Sequence, residues 1–225
     1  MNSEQEIGES FLYDGYDKFW AKDGFDDNDI AALRRLSQHQ DSEVRYYVAE
    51  LLVNADATQA EDILVPMLDD KEYLVRVNAC DSLCISSNPK VLELLKKVLI
   101  RDKSALVRHY AALSIGDIAS KSEIKKEELL RFLEQRLHKE KTEHTKIAFF
   151  STMFVLGEEK YFQYLLEQLK GVKYRNRCAT VNTLAYIASV KNREEIITAL
   201  EELKKTETTV AVNSTLDRVL NDLAN

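Results

Sequence analysis

Three stretches of the sequence decide the fold: DSEVRYYVA at residues 41–49, KEYLVRVNA at 71–79 and KSALVRHYA at 103–111. In each stretch a Val–Arg pair is followed three or four positions later by a small residue. The arginines of these pairs, called anchors below, are Arg45, Arg76 and Arg108. They are 31 and 32 residues apart. Self-similarity at a fixed spacing of this length is typical of a repeat architecture.

Weaker copies of the pattern continue towards the end of the chain. Thr145-Lys146 fits 38 residues after the third anchor, Tyr174-Arg175 fits 29 residues further on, and residues 210–213 fit another 36 residues on. We therefore predict six units of about 30–38 residues each. These units form a repeat array over residues 30–225, and residues 1–29 precede it as an N-terminal arm.

Each unit is predicted to contain two helices. Apolar residues recur at helical spacing in the first helix of a unit, as in VLELLKKVL at 91–99, and the second helix starts just before the anchor. Asp41, Ser104 and Thr142 occupy positions where a side-chain oxygen caps free backbone N–H groups. Gly157 and Gly171 are placed where helices end and suit a left-handed conformation. With only 6 Gly and 2 Pro in the chain, a turn-rich β fold is excluded.

The pattern Asp-x-x-Val-Arg, and VRHYAALSIGD at 107–117 in particular, resembles HEAT repeats. The nearest variety is the short HEAT-like repeat of the phycobilisome-lyase type. This resemblance implies an all-α fold: a right-handed α-solenoid of about six HEAT-like helical hairpins with an N-terminal capping helix. It also implies that the second helices line the concave face. The fold does not by itself imply an activity.

The N-terminal arm is acidic and rich in aromatic residues. It holds nine acidic and two basic residues, so its net charge is −7, the same as that of the whole chain. Six of the 19 aromatic residues of the chain belong to it: Phe11, Tyr13, Tyr16, Phe19, Trp20 and Phe25. Two interpretations stay open. The arm is either a helix that caps the first repeat or a docking segment that presents an acidic, aromatic ligand to a partner.

No motif for catalysis, metal or cofactor binding is present. Cys80, Cys84 and Cys178 form no C-x-x-C pair, the four histidines form no H-E-x-x-H pair, and there is no P-loop, G-x-G-x-x-G or G-x-S-x-G motif. We therefore expect no catalytic residue, no metal and no cofactor. The longest stretch without a charge, residues 178–190, is too short to span a membrane, and residues 1–10 lack a secretory signal. A cytoplasmic protein without a membrane partner is expected.

The anchor arginines are predicted to form a structural ladder between repeats. In this interpretation Arg45, Arg76 and Arg108 each bridge to an acid or a carbonyl in the turn of an adjacent repeat, such as Asp41, Asp70 or Asp102. The alternative is a row of arginines that binds phosphate.

The residues one, two and five positions after each anchor are predicted to face a groove on the concave side. A basic stretch further along the chain is predicted to face the same groove. The resulting candidate partner-binding residues are Tyr46, Tyr47, Glu50, Asn78, Asp81, His109, Tyr110, Lys173, Arg175 and Arg177. Tyrosines with a few charges make good contact surfaces. The predicted function is therefore non-catalytic: an adaptor, scaffold or inhibitor of the immunity-protein type that grips a protein or peptide.

Two alternatives to protein binding remain. Residues 160–193 carry seven basic residues against the single acid Glu167, which is compatible with nucleic-acid binding. The repeat resemblance also allows a bilin-lyase-like or other cofactor-handling protein, although no residue distinguishes that activity from the generic fold.

Overall fold

The computed structural model describes residues 3–224, with side chains described from residue 7 onwards, and contains only helices and their connections over that range. The acidic Glu4 and Glu6 of the predicted arm lie outside the residues whose side chains are described. The chain begins with α1 (Ser3–Ser10), a π-helical turn (Phe11–Gly15) and α2 (Tyr16–Trp20).

Two compact units divide the chain, Met1–Ile124 and Lys125–Asn225. After the N-terminal helices, unit 1 contains the hairpins α3 (Asp27–Leu36) with α4 (Ser42–Leu51), α5 (Ala57–Met67) with α6 (Tyr73–Ser82), and α7 (Pro89–Arg101) with α8 (Ala105–Lys121). Unit 2 contains α9 (Lys126–Lys139) with α10 (Glu143–Val155), α11 (Lys160–Gln168) with α12 (Tyr174–Tyr186), and α13 (Arg193–Thr206) with α14 (Val210–Ala224). Over the described residues, the prediction of an all-α fold built from pairs of helices is confirmed.

The starts of the helices follow from local side-chain chemistry. Asp41 accepts a hydrogen bond from the backbone N–H of Glu43 at the start of α4, and Ser104 accepts one from Val107 at the start of α8. Asn88 caps α7 immediately before Pro89, whose missing N–H costs nothing at this position. Thr142 occupies the equivalent position before α10, but its side chain makes no capping hydrogen bond, so that expectation was wrong.

The two glycines predicted to end helices behave differently. Gly157 has a φ of 108°, a left-handed conformation that strains any side-chain-bearing residue. Gly171 does not adopt a positive φ, so the prediction of a left-handed end there was wrong. A Cβ at position 171 would lie 3.1 Å from the carbonyl oxygen of Gln168, and this close approach favours glycine for a different reason.

In each unit the second helices of the hairpins form one layer. In unit 1, α6 packs between α4 and α8, and in unit 2, α12 packs between α10 and α14. Ala49, Ala79 and Ala111 are completely buried in the first of these layers, where their small side chains let neighbouring helices approach closely. A lone hairpin could not bury its apolar side, so each repeat depends on its neighbours for stability.

The N-terminal helices cap unit 1. The π-helical turn and α2 both contact α4, which is the second helix of the first repeat. Phe11 is buried, and its ring lies 6.2 Å from that of Phe19, which in turn lies 5.8 Å from Phe25. This aromatic cluster covers an end of the stack that would otherwise expose apolar surface.

Candidate functional site

The predicted anchor arginines Arg45 and Arg76 bridge consecutive repeats through paired hydrogen bonds. Arg45 donates from Nε and Nη2 to the two carboxylate oxygens of Asp70, at 2.6 and 2.9 Å. Arg76 donates in the same way to Asp102, at 2.7 and 3.1 Å. Little of these four side chains is exposed, 17% at most. A bidentate pair in such an enclosed place holds two repeats in a fixed relation.

The acid of each pair also accepts a hydrogen bond from the backbone near the start of a helix. Asp70 accepts a hydrogen bond from the backbone N–H of Glu72, and Asp102 accepts one from Ser104. Burial alone would raise the pKa of Asp70, but the hydrogen bonds from Arg45 and from the backbone of Glu72 outweigh it, and the net pKa is lowered. The carboxylate is therefore held in its charged form.

A shared backbone contact identifies the anchor position in five of the six repeats. Nη1 of each of the three predicted anchors donates to the carbonyl oxygen of the residue six positions earlier, His39, Asp70 or Asp102, at 2.7, 2.8 and 3.0 Å. Arg177 makes the same contact with Gly171 at 2.8 Å, and the amide of Asn213 makes it with Glu207 at 3.0 Å. The anchor of α12 is therefore Arg177, two residues after the predicted Arg175.

This shift in register reassigns Arg177. Its guanidinium donates to both carboxylate oxygens of Glu207, at 2.6 and 3.0 Å, and only 14% of its side chain is exposed. The hydrogen bond from Arg177 lowers the pKa of Glu207 to about 2. Arg177 thus occupies the position of an anchor and is withdrawn from the candidate partner-binding residues.

The exposed side of the unit 1 second helices carries five of the predicted partner-binding residues: Tyr46, Tyr47, Glu50, Asp81 and Tyr110. We call this set the tyrosine face. The rings of Tyr46 and Tyr47 lie 5.1 Å apart. Tyr110 on α8 feels the charge of Asp81 on α6, and Asp81 feels that of Glu50 on α4, so three consecutive helices contribute to one surface.

Asp81 is the electrostatic centre of the tyrosine face. Its side chain keeps access to solvent, but the surrounding groups displace much of its hydration, and this desolvation raises its pKa to about 6. The negative charges of Asp117 and Glu50 add to the effect. Among the residues from 7 to 224, Asp81 has no ion-pair partner.

Two predicted partner-binding residues are inside the protein. Asn78 is 9% exposed and donates from Nδ2 to the backbone oxygen of Tyr46, at 3.2 Å, which ties α6 to α4. His109 is 6% exposed, with its ring 5.4 Å from that of Tyr110. Both are withdrawn from the contact surface, because the helix turns these positions towards the neighbouring helix.

The N-terminal cap reaches the tyrosine face. The hydroxyl of Tyr16 donates to Glu50 at 3.0 Å, and the ring of Tyr16 lies 4.6 Å from that of Tyr47. Burial, followed by the hydrogen bond to Glu50, raises the pKa of Tyr16 to about 12. Cap and face therefore share Glu50 and Tyr47.

Several basic side chains of the stretch at 160–193 already make contacts within the protein, so fewer of them are available to a ligand than the composition indicates. Lys160 pairs with Glu134 and Glu158, at 3.3 and 3.4 Å. Arg193 donates to the backbone oxygen of Leu223 at 2.7 Å, and Arg177 belongs to the Glu207 pair. Lys173 and Arg175 remain exposed at the start of α12, where Arg175 lies over the ring of Tyr174.

Sequence reasoning missed Asp117 and an edge of the same surface. Asp117 is seven residues after Tyr110 on α8, a spacing that keeps two side chains on one side of a helix, and this pattern could have revealed it. Exposed Tyr73 and Leu74 lie at the start of α6, next to Tyr46 and Tyr47. The order of apolar and polar residues in the sequence does not predict that these two apolar side chains are exposed.

Within the described part of the chain, no group of three or more His, Cys, Asp or Glu side chains is placed to hold a metal ion. Over the same residues, none of the helices combines the length and the apolar character needed to cross a bilayer.

Comparison with known proteins gives one family match. Residues 30–116 match the family described as HEAT repeats. No curated protein matches the chain significantly. Among solved structures, an engineered protein from a structural genomics consortium is 19% identical, with a TM-score of 0.41 over 88% of this chain and 97% of that one. The complex of CpcE and CpcF of phycocyanin lyase from Nostoc sp. PCC7120 is 17% identical, with a TM-score of 0.46 over 90% of this chain and 97% of that one. Likeness at this level does not extend to an activity.

Proposed function

We infer that this chain, whose residues 30–116 match the HEAT-repeat family, is a non-catalytic protein-binding scaffold that holds a cationic segment of a partner protein on its tyrosine face. An adaptor and an inhibitor of the immunity-protein type are both forms of such a scaffold, and we expect it to act in the cytoplasm. HEAT-type layers offer a broad, preformed surface, so a partner binds without costly rearrangement of the scaffold.

The observation that carries this proposal is the side-chain chemistry of three consecutive second helices. Tyr46, Tyr47 and Tyr110 supply aromatic surface at low entropic cost, and Glu50 and Asp81 supply negative charge beside it. Like charges that the fold forces together repel one another, and an incoming cation relieves that repulsion. Arginine is the most suitable ligand, since it pairs with carboxylates and also stacks on tyrosine rings.

The N-terminal cap makes access to this surface competitive. Glu50 accepts the hydroxyl of Tyr16, so an arginine that pairs with Glu50 must share or replace that hydrogen bond. Tyr16→Phe, which keeps the ring on Tyr47 but removes the hydroxyl, is therefore expected to bind a cationic peptide more tightly than the unmodified chain.

The experiment is calorimetric titration with a synthetic peptide of alternating arginine and tyrosine, and with a matched peptide of glutamate and tyrosine. Asp81→Asn should weaken binding of the arginine peptide by about tenfold, because one close charge pair is lost. Asp62→Asn, which neutralises an exposed carboxylate on α5, is the control and should leave binding unchanged.

The pH dependence gives a second readout. Since the pKa of Asp81 is raised to about 6, affinity for the arginine peptide should fall as the pH is lowered from 7 to 5. Equal affinity for the arginine and glutamate peptides, or no effect of Asp81→Asn, would contradict the proposal. Strongly salt-dependent binding of DNA or RNA in place of the peptide would support the nucleic-acid alternative.

A further inference from the structure

The turn between α11 and α12 differs from four of the other turns that precede second helices. In those before α6, α8, α10 and α14, the residue six positions before the anchor position is acidic: Asp70, Asp102, Glu140 and Glu207. Before α12 the corresponding residue is Gly171. No carboxylate of this turn is available to an anchor of the preceding repeat, where Lys146 stands and pairs within its own helix with Glu143.

The turn exposes two side chains with large apolar parts. Val172 is 97% exposed and Tyr174 is 42% exposed. Lys173 and Arg175 are exposed between and beside them. We call residues 171–175 the basic turn. An exposed valine, a tyrosine and two cations in one short segment have the composition of a contact element, since tyrosine and arginine are enriched among residues that dominate binding energy.

Unit 1 contains a groove with complementary chemistry. It lies at the starts of α4 and α6, has a volume of about 410 Å³, and is lined by Tyr46, Tyr47, Tyr73, Leu74, Glu43 and Glu72. Tyr73 and Leu74 are 47% and 43% exposed. Glu43 and Glu72 are exposed at its rim. This edge groove therefore has apolar and aromatic walls with two negative charges, opposite to the two positive charges of the basic turn.

We propose that the edge groove of one copy of this chain binds the basic turn of a second copy, so that the protein associates head to tail. Val172 and Tyr174 would fill the apolar part of the groove, while Lys173 and Arg175 would pair with Glu43 and Glu72. Different surfaces meet in such an interface, so it either closes into a ring or extends as an open chain. Because the edge groove shares Tyr46 and Tyr47 with the tyrosine face, this inference rests on the proposed function to that extent.

The test is sedimentation velocity of the full chain from low micromolar to submillimolar concentration. The unmodified chain should gain mass with concentration. Lys173→Glu with Arg175→Glu should weaken self-association by about tenfold or more, and so should Glu43→Lys with Glu72→Lys, since each reverses one side of the interface. All four side chains are exposed, so folding should be preserved and is checked by thermal melting.

Mixing the two reversed variants supplies the decisive measurement. The reversed turn of one variant complements the reversed groove of the other, so the mixture should associate more tightly than either variant does alone. Lys103→Glu with Lys191→Glu, an equal change of charge at exposed sites elsewhere, is the control and should self-associate like the unmodified chain.

A chain that stays monomeric at every concentration would overturn the inference, and so would self-association that both reversed variants retain. These outcomes are distinguishable from failure of the proposed function. A monomeric chain that still binds the arginine peptide through Asp81 would keep the tyrosine face as a binding surface and remove only the second copy as its neighbour.

Discussion

Unit 1 and unit 2 are both stacks of three helical hairpins, but they join their repeats differently. In unit 1, Arg45 and Arg76 each reach forward to an aspartate in the next turn. In unit 2 the first anchor position holds Lys146, whose partner Glu143 belongs to the same helix. The next anchor, Arg177, again pairs with a carboxylate in the following turn, that of Glu207.

The layers of the two units also differ in what fills them. Beside Lys146, α10 contributes Phe149 and Phe150, and the ring of Phe150 lies 5.9 Å from that of Tyr161 on α11. Apolar packing thus replaces an ion pair where the anchor is lost. The comparison teaches that the repeat requires a filled contact between hairpins and that more than one chemistry meets this requirement.

The largest expected effect separates the two kinds of contact. Arg76→Ala leaves Asp102 almost buried without its partner and should lower the free energy of unfolding by about 3 kcal/mol. Lys146→Ala removes only a surface pair and should cost at most about 0.5 kcal/mol. Urea unfolding of both variants checks this. Similar losses at the two positions would mean that the anchors contribute equally, and the contrast between the units would fail.

A smaller effect concerns the pair that returns in unit 2. Glu207→Gln should lower stability by about 2 kcal/mol at neutral pH, because a charged hydrogen-bonded pair becomes a weaker one. Since Arg177 holds the pKa of Glu207 at about 2, well below its usual value, this carboxylate stabilises the fold at neutral pH and loses its effect as the pH falls towards 2.

Thermal melting at neutral and acidic pH measures that loss. The difference between the unmodified chain and Glu207→Gln should shrink steadily below the ordinary pKa of a glutamate. A difference that stays constant down to pH 2 would show that the pair does not depend on the charge of Glu207.

The smallest effect has the opposite sign and belongs to the tyrosine face. The pKa of Asp81 is raised to about 6, so its negative charge destabilises the fold above that pH. This loss of stability disappears once the pH falls below the ordinary pKa of an aspartate, because the carboxyl group is then protonated in both the folded and the unfolded chain. Asp81→Asn should therefore raise the melting temperature slightly at pH 8 and leave it unchanged at pH 4. A lower melting temperature at pH 8 would assign Asp81 a stabilising contact instead.

The fold was accessible from sequence because its signals are local. The anchor pattern, helical spacing and the Asn88 cap depend on residues close together in the chain, and the structure reproduces the helices that they predict. The register of α12 was missed because neither Arg175 nor Arg177 is preceded by valine, so the Val–Arg signature gives no choice between them. The backbone contact with Gly171 and the pair with Glu207 distinguish Arg177 from Arg175.

Only part of the candidate site was predicted, because contacts between neighbouring helices are not local in the sequence. Helical spacing places Tyr47, Glu50 and Tyr110 on the exposed side, but it does not show how close the neighbouring helix lies. Asn78 and His109 are turned towards that neighbour and become buried. The edge groove is formed by side chains at the starts of α4 and α6, which belong to different repeats. A spacing rule that applies within one repeat therefore does not predict the groove.

The N-terminal cap has one more consequence. Trp20 is the sole tryptophan of the chain, is about half exposed, and its ring is stacked on that of Tyr16 at 6.0 Å. Intrinsic fluorescence excited above the tyrosine band therefore originates from the cap alone. Any ligand that lifts Tyr16 away from Glu50 reports its arrival as a change in emission, without a label and without alteration of the chain.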